Sequence, residues 1–215
     1  WFVGGQINLY HNTVERHVRD GHGEETAIIW RGEDGARRQL TYGELHEQAG
    51  KAAAALQQLD VQRGDVVGLV MAPIPETTVA MLAIWKLGAV VDPIQVASGP
   101  ALIAERLSEA HVKLVITTDG VLRGGRLAQT PVADGGTATM GKAVVDQVIA
   151  AGQTDVRHVV VVRRLSEEQA PLAQVPMTPG RDRWWHELLD AVRPEDIPTT
   201  VQTDAEDPAV IHYSS

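Results

Sequence analysis

Residues Val66-Val-Gly-Leu-Val-Met-Ala-Pro-Ile-Pro-Glu-Thr-Thr-Val-Ala-Met-Leu-Ala-Ile-Trp-Lys-Leu-Gly-Ala-Val-Val91 run from one apolar strand through a helix into a second strand. Val66 to Met71 carries no polar side chain, so it reads as a strand covered on both faces, as in a parallel sheet, and not as one with a wet side. Pro73 and Pro75 break that strand and set up a helix from Glu76, with Val79, Leu82, Ala83 and Leu87 facing inward at helical spacing and Gly88 as the stop. Ala89-Val-Val91 is the next strand. Downstream the unit recurs. Pro100 suits a first helical position, Leu102, Ile103, Leu107 and Ala110 form a buried stripe, and Lys113 to Thr117 is a third strand. Gly141 to Gly152 gives a helix with Val144, Val145, Val148 and Ile149 inward, and His158 to Val162 a further strand. Upstream, Ala27 to Trp30 and Arg38 to Thr41 flank a turn at Gly32-Glu-Asp-Gly35 and predict an antiparallel lead-in. Thr41-Tyr-Gly-Glu44 is a capping box opening a helix whose inner face is Leu45, Ala49, Ala52, Leu56 and Leu59. Alternating strands and helices with short connections predict an α/β fold, a mostly parallel sheet with helices on both faces.

The last third is less regular. Leu165 to Gly180 carries three prolines and reads as a surface loop, and Arg181 to Ala191 as a helix around Trp184 and Trp185. Neighbours on a helix cannot face one way, so one tryptophan is expected in the core and the other at a loop or interface. Arg193 to Asp207 is a second long loop, leading to an expected core strand at Ala209 to Tyr213. The expected layout is an N-terminal extension over 1–25 packing on an α/β subdomain over 26–215. A core strand two residues from the last one leads us to expect that the fold continues past Ser215 and that the fragment self-associates through an open edge.

Composition narrows the function classes. Nineteen basic against 28 acidic residues give a net charge of −9, a field that repels nucleic acid and anionic lipid. No apolar run reaches bilayer length and the first residues lack a signal-peptide pattern, so a cytoplasmic protein with no membrane partner is expected. With no cysteine there is no disulfide, thiolate nucleophile or sulfur-ligated zinc. His11, Glu15 and His17 lack a third convincing metal ligand, and no carboxylate pair stands isolated as an acid/base couple. Dinucleotide, P-loop and nucleophile-elbow motifs are missing.

In open parallel sheets ligands sit beyond the carboxyl ends of strands. Three loops fall there. Met71 to Pro75 is a stiff turn without chemistry. In Gln95-Val-Ala-Ser-Gly-Pro100, Ser98 and Gly99 precede a helix and offer N–H groups to an anion, or simply cap it. Thr117-Thr-Asp-Gly-Val-Leu-Arg-Gly-Gly-Arg126 puts Arg123 and Arg126 among three glycines, a flexible loop able to bring two guanidinium forks to one phosphate or to leave both solvated.

Several segments in order carry a resemblance: Trp1-Phe-Val-Gly-Gly-Gln-Ile-Asn8 with Asn12, Glu15, Arg16 and His17; Leu40 to Leu45; Pro73 to Leu82; His158-Val-Val-Val-Val-Arg-Arg164; Gly180-Arg-Asp-Arg-Trp-Trp-His186; and Asp207-Pro-Ala-Val-Ile-His-Tyr-Ser-Ser215. Together they resemble the N-terminal portion of AMP-forming acetyl-CoA synthetases, in the acyl-CoA synthetase branch of the adenylate-forming enzymes. The resemblance implies a ligase in which acetate or a similar short carboxylate reacts with ATP and Mg²⁺ to give an acyl-adenylate that CoA then attacks. A ligase for propionate, or a non-catalytic remnant that binds CoA or a partner, are the alternatives. It further implies that Arg123 and Arg126 contact the 3′-phosphate of CoA, and that Ser214 and Ser215 open the ATP phosphate loop. Mg²⁺ ligands and catalytic residues are expected in the remainder of the polypeptide, leaving the fragment inactive alone. Gln95 to Gly99 replaces the family's Phe-Gly-Gly-Phe-Ser-like turn near the pantetheine channel, putting Cβ atoms of Val96 and Ala97 where the family has glycines.

Overall fold

The computed structural model describes residues 2–131, 137–171 and 175–213. In chain order its elements are α1 (Arg16–Arg19, entered by a π-turn at His11–Glu15), β1 (Thr26–Arg31), β2 (Arg37–Thr41), α2 (Tyr42–Gln58), β3 (Val66–Met71), α3 (Pro75–Lys86), β4 (Val90–Gln95), α4 (Pro100–Glu109) and β5 (Leu114–Thr118). There follow β6 (Leu122–Arg123), β7 (Arg126–Leu127), β8 (Gln129–Pro131), β9 (Thr137–Thr139), α5 (Lys142–Ala150), β10 (His158–Val162), β11 (Asp182–Trp184) and α6 (Trp185–Asp190). Two compact units divide the chain: Trp1–Asp65 with Pro73–Val91 and Leu188–Ser215, and Val66–Ala72 with Asp92–Glu187.

In the first unit β1 and β2 form the expected antiparallel hairpin, Trp30 facing Arg38. Trp30 donates its indole N–H to the Pro73 carbonyl at 2.8 Å, and Arg38 pairs with Glu76. The capping box is present in both directions: Glu44 N–H to Thr41 Oγ1 at 3.2 Å and Thr41 N–H to a Glu44 oxygen at 2.8 Å. α2 buries the alanine-rich face the spacing predicts, and α3 packs on it. Gly88 ends α3 at φ +68°, where an added Cβ would also press on Val201 at 3.0 Å. A polar cluster ties the N-terminal arm down. Lys86 Nζ lies 3.0 Å from Thr200 Oγ1 and 4.6 Å from the Tyr10 ring centre, Thr200 donates to Glu15 at 2.6 Å, and Tyr10 meets His46 Nδ1 at 2.7 Å.

The second unit holds most of a five-stranded sheet of order β11-β10-β5-β3-β4. Its pairings from β11 through β10 and β5 to β3 are parallel, which makes this an α/β protein as the alternation predicts. β3, β5 and β10 are buried at nearly every position, so both faces are covered. Ile103 and Leu107 of α4 and Val144, Val145 and Val148 of α5 pack with Val115, Val159 and Val161 of the sheet in one core. Gly68 lets α4 approach, since a Cβ there would sit 2.9 Å from the Leu107 side chain.

Four expectations are corrected. Ala209 to Tyr213 is not a strand: only Val210 bridges, to Val91, and burial there alternates between partial and exposed. One bridge flanked by two backbone hydrogen bonds is too short a ladder to count as a strand. Leu102 is 39% exposed because it falls off the stripe set by Ile103 and Leu107. Arg181 to Ala191 begins as strand, not helix, since Asp182–Trp184 pairs with β10 before α6 starts. The tryptophans therefore straddle a strand–helix junction, and both are buried. Leu165, expected at the head of a surface loop, is buried too.

Candidate functional site

The segment that carries Arg123 and Arg126 leaves the sheet at the carboxyl end of β5. Thr117 and Thr118 close the strand fully buried, Thr117 donating its hydroxyl to the Val70 carbonyl at 2.8 Å. Among the described residues the Thr118 hydroxyl has no hydrogen-bond partner. Asp119 follows, its carboxylate fully covered: one oxygen accepts the N–H groups of Arg164 and Leu165 at 2.8 and 3.2 Å, the other the Arg163 guanidinium at 2.8 Å. Burial pushes the Asp119 carboxyl up, against those donors and the Arg163 charge.

The next ten residues are not the flexible loop the glycines suggest. β6 and β7 form a minimal antiparallel hairpin in which Leu122 faces Leu127 and Arg123 faces Arg126. Gly124 and Gly125 make its two-residue turn with φ +54° and +73°, two consecutive left-handed positions that glycine occupies freely and that match the twist of a hairpin. Val121 and Ala128 close the ladder, Ala128 N–H to Val121 O at 2.8 Å, and pack with Met140 underneath. Arg123 and Arg126 are thereby set directly opposite each other on one face, with Cβ atoms roughly 5 Å apart. Both are exposed, and among the described residues neither side chain has a hydrogen bond or an ion pair.

The other expected site residues are placed as follows. Ser98 and Gly99 lie in the β4–α4 connection, Gly99 as the N-cap of α4 with no side-chain cap, and the Ser98 N–H is already donated to Gln95 O at 2.9 Å. Val96 packs into the two cores of the second unit, so its Cβ faces the protein interior. Ser214 and Ser215 lie outside the described residues. The structure brings Arg123 and Arg126 together and leaves Ser98 and Gly99 on a separate connection.

Two buried carboxylates, Asp182 and Asp92, escape the sequence reading. Asp182 has a side chain with no exposure and binds Lys142 at 2.8 Å and Arg181 at 2.5 Å, while Asp146 binds the same two cations. Burial raises the Asp182 carboxyl but the Arg181 and Lys142 bonds and the Thr178 N–H outweigh it, so it sits below the usual range. Asp92 is the opposite case. It is 0% exposed and neither oxygen has a hydrogen-bond partner among the described residues. Burial pushes it up to about 6, with Arg106 acting against. No spacing signal marks Asp182 or Asp92: the Lys142 that meets Asp182 is 40 positions away, and Asp92 has no hydrogen-bond partner among the described residues.

Two guanidinium groups that face each other beyond the carboxyl end of a parallel strand can together bind one anionic group. A family model described as AMP-binding enzyme matches residues 14–215, and the chain belongs to that family. The acetyl-coenzyme A synthetase of Streptomyces avermitilis is 40% identical over 215 residues, covering all of this chain and 30% of that protein. That of Mycolicibacterium smegmatis is 39% identical over 216 residues, again covering the whole chain and 21% of the protein. Among solved structures, a Brucella canis acyl-CoA synthetase superposes with a TM-score of 0.70 at 18% identity over 95% of this chain and 31% of that one, a likeness of fold. The chain thus spans at most 30% of the length of these curated relatives.

Proposed function

We propose that the chain is a part of an AMP-forming short-chain acyl-CoA synthetase, acetate-type, and that it supplies the contact to the 3′-phosphate of CoA. The observation that carries this is the Arg123–Arg126 pair, two guanidinium groups without a partner among the described residues, on residues that face each other across a two-residue turn. Like charges directly opposite on a hairpin repel, and the arrangement becomes favourable when a dianion lies between them. The relatives named acetyl-coenzyme A synthetase support the acid and the thiol.

In the reaction proposed, an acetate oxygen attacks the α-phosphorus of ATP and pyrophosphate leaves; the CoA sulfur then attacks the acetyl carbonyl, its proton is lost, and AMP leaves. Arg123 and Arg126 bind and orient CoA in the second step, holding its far end so that the thiol is presented. The 95–99 connection, with Ser98 and Gly99, borders the pantetheine arm, and Ser214 and Ser215 start the ATP phosphate loop. Mg²⁺ would neutralise charge on ATP. A cytoplasmic setting fits this chemistry, and no described helix is long and apolar enough to cross a membrane.

The chain alone is expected to catalyse neither half-reaction, since it matches less than a third of each relative. Acetate-dependent exchange of pyrophosphate into ATP by the 215-residue chain, above an enzyme-free blank, contradicts this. In the polypeptide that carries the chain at its relatives' length, exchange is expected with acetate, and thioester formation is expected on adding CoA.

A further inference from the structure

The arginine hairpin cannot hold its own position. Two residue pairs make a ladder far below the size that is stable alone, and the outer pair is a repelling one. Its place must come from what grips its base. On one side Ala128 is fixed by Val121 and by the Met140 N–H at 3.0 Å. On the other side the chain leaves β5 through Asp119 and Gly120 alone.

That exit is clamped onto the segment after β10. The Asp119 N–H donates to Val162 O at 3.1 Å, while its carboxylate takes the N–H groups of Arg164 and Leu165 and the Arg163 guanidinium. Arg163 is itself held by the Ala170 carbonyl at 2.6 Å and Glu167 at 3.0 Å. Gly120 presses against Leu165 so closely that a Cβ would come within 2.5 Å of its Cδ1. Gly141 blocks the opposite side, where a Cβ would fall 2.5 Å from the Thr118 carbonyl oxygen. We infer that Asp119 is a positioning residue for Arg123 and Arg126: by locking the exit of β5 onto residues 163–165 it fixes where the two guanidinium groups stand, and so sets selectivity for a ligand that carries the 3′-phosphate. This rests on the site reading above and adds a residue that touches no ligand. A misplacement of about 1 Å in such a pair is enough to lose on the order of 100-fold where geometry is tight, and less at an exposed site.

The division of labour within the carboxylate makes the inference testable. Asparagine keeps an oxygen for the two backbone N–H groups and loses only the guanidinium contact, whereas alanine loses all three bonds. The probes are CoA and dephospho-CoA, titrated against the 215-residue chain and followed through the Arg123 and Arg126 side-chain N–H resonances. Expected is a preference for CoA of about tenfold in the unaltered chain, within about threefold of that in Asp119→Asn, and close to none in Asp119→Ala, with dephospho-CoA binding alike in all three. Val145→Ala, a core truncation in α5, serves as the stability control and is expected to keep the full preference. Should Asp119→Ala not fold, Gly120→Ala is the second variant, its added Cβ pressing on Leu165 and displacing the exit from residues 163–165, with a reduced preference expected and an unchanged one contradicting the inference. An Asp119→Ala chain that folds and keeps the tenfold preference overturns it, as does an equal loss in Val145→Ala. If the unaltered chain itself shows no preference, the site reading has failed and the positioning role falls with it.

Discussion

Two groups of cations in the second unit have opposite fates. Lys142, 1% exposed, and Arg181 are committed to Asp146 and Asp182 in a four-membered network, covered at Lys142 and Asp182, that joins the start of α5 to β11. Arg123 and Arg126 stand in solvent, opposite each other, with no partner among the described residues. Charge removed from water is costly unless matched, so the first group must be complete within the protein. The second is left incomplete at a cost in repulsion, which the 3′-phosphate proposed above would relieve.

The contrast can be broken first at its buried end. Lys142→Met leaves Asp182 with one cation fewer in a fully covered position and is expected to cost about 3–5 kcal/mol, a fall in Tm on the order of 10 °C by calorimetry. A change under about 1 kcal/mol means the network is ornamental. Asp92 sharpens the contrast from the side of a buried charge without a hydrogen-bonded partner. Its folded pKa of about 6 lies above the unfolded 3.8, so the folded state holds the extra proton between them. Stability is therefore fully present below about pH 4 and is lost as pH rises through 6, by at most about 3 kcal/mol for this group. Chemical denaturation at pH 4.5 and 7.5 should show that slope, and Asp92→Asn should flatten it; equal slopes in both proteins would refute the assignment. Arg123→Ala tests the exposed pair without ligand. Relief of repulsion is expected to leave stability unchanged or raise it by up to about 1 kcal/mol in urea unfolding, and a loss above that range makes the pair structural. Smallest of all is Thr118→Val. Replacing an unpartnered buried hydroxyl by a methyl of similar shape is expected to shift stability by less than about 0.5 kcal/mol, whereas a loss above 1 kcal/mol reveals a hidden hydrogen bond.

What was legible in the sequence was local. The Thr41/Glu44 box closes within one turn, Val66 to Met71 announces a doubly covered strand by its composition, and Pro75 and Pro100 open their helices where their missing N–H is harmless. The arginines were legible only as neighbours on one glycine-bearing segment, because their facing geometry depends on Gly124 and Gly125 both adopting positive φ. Asp182 to Trp184 was hidden, since three residues ahead of a helix lack any period of their own and become a strand only by pairing with β10. The buried carboxylates were hidden for a different reason. Lys142 and Asp182 are 40 positions apart, Asp119 and Arg163 are 44 apart, and no local pattern foretells such partners.

One titration bears on all of this: side-chain N–H resonances of Arg123 and Arg126 followed while CoA, and separately dephospho-CoA, is added to the 215-residue chain and to its Arg123→Ala and Arg126→Ala variants. If the facing pair is a 3′-phosphate site, CoA binds about tenfold more tightly than dephospho-CoA, and either substitution abolishes the difference while leaving dephospho-CoA unaffected. Equal affinity for the two in the unaltered chain, or a preference that survives both substitutions, contradicts the account.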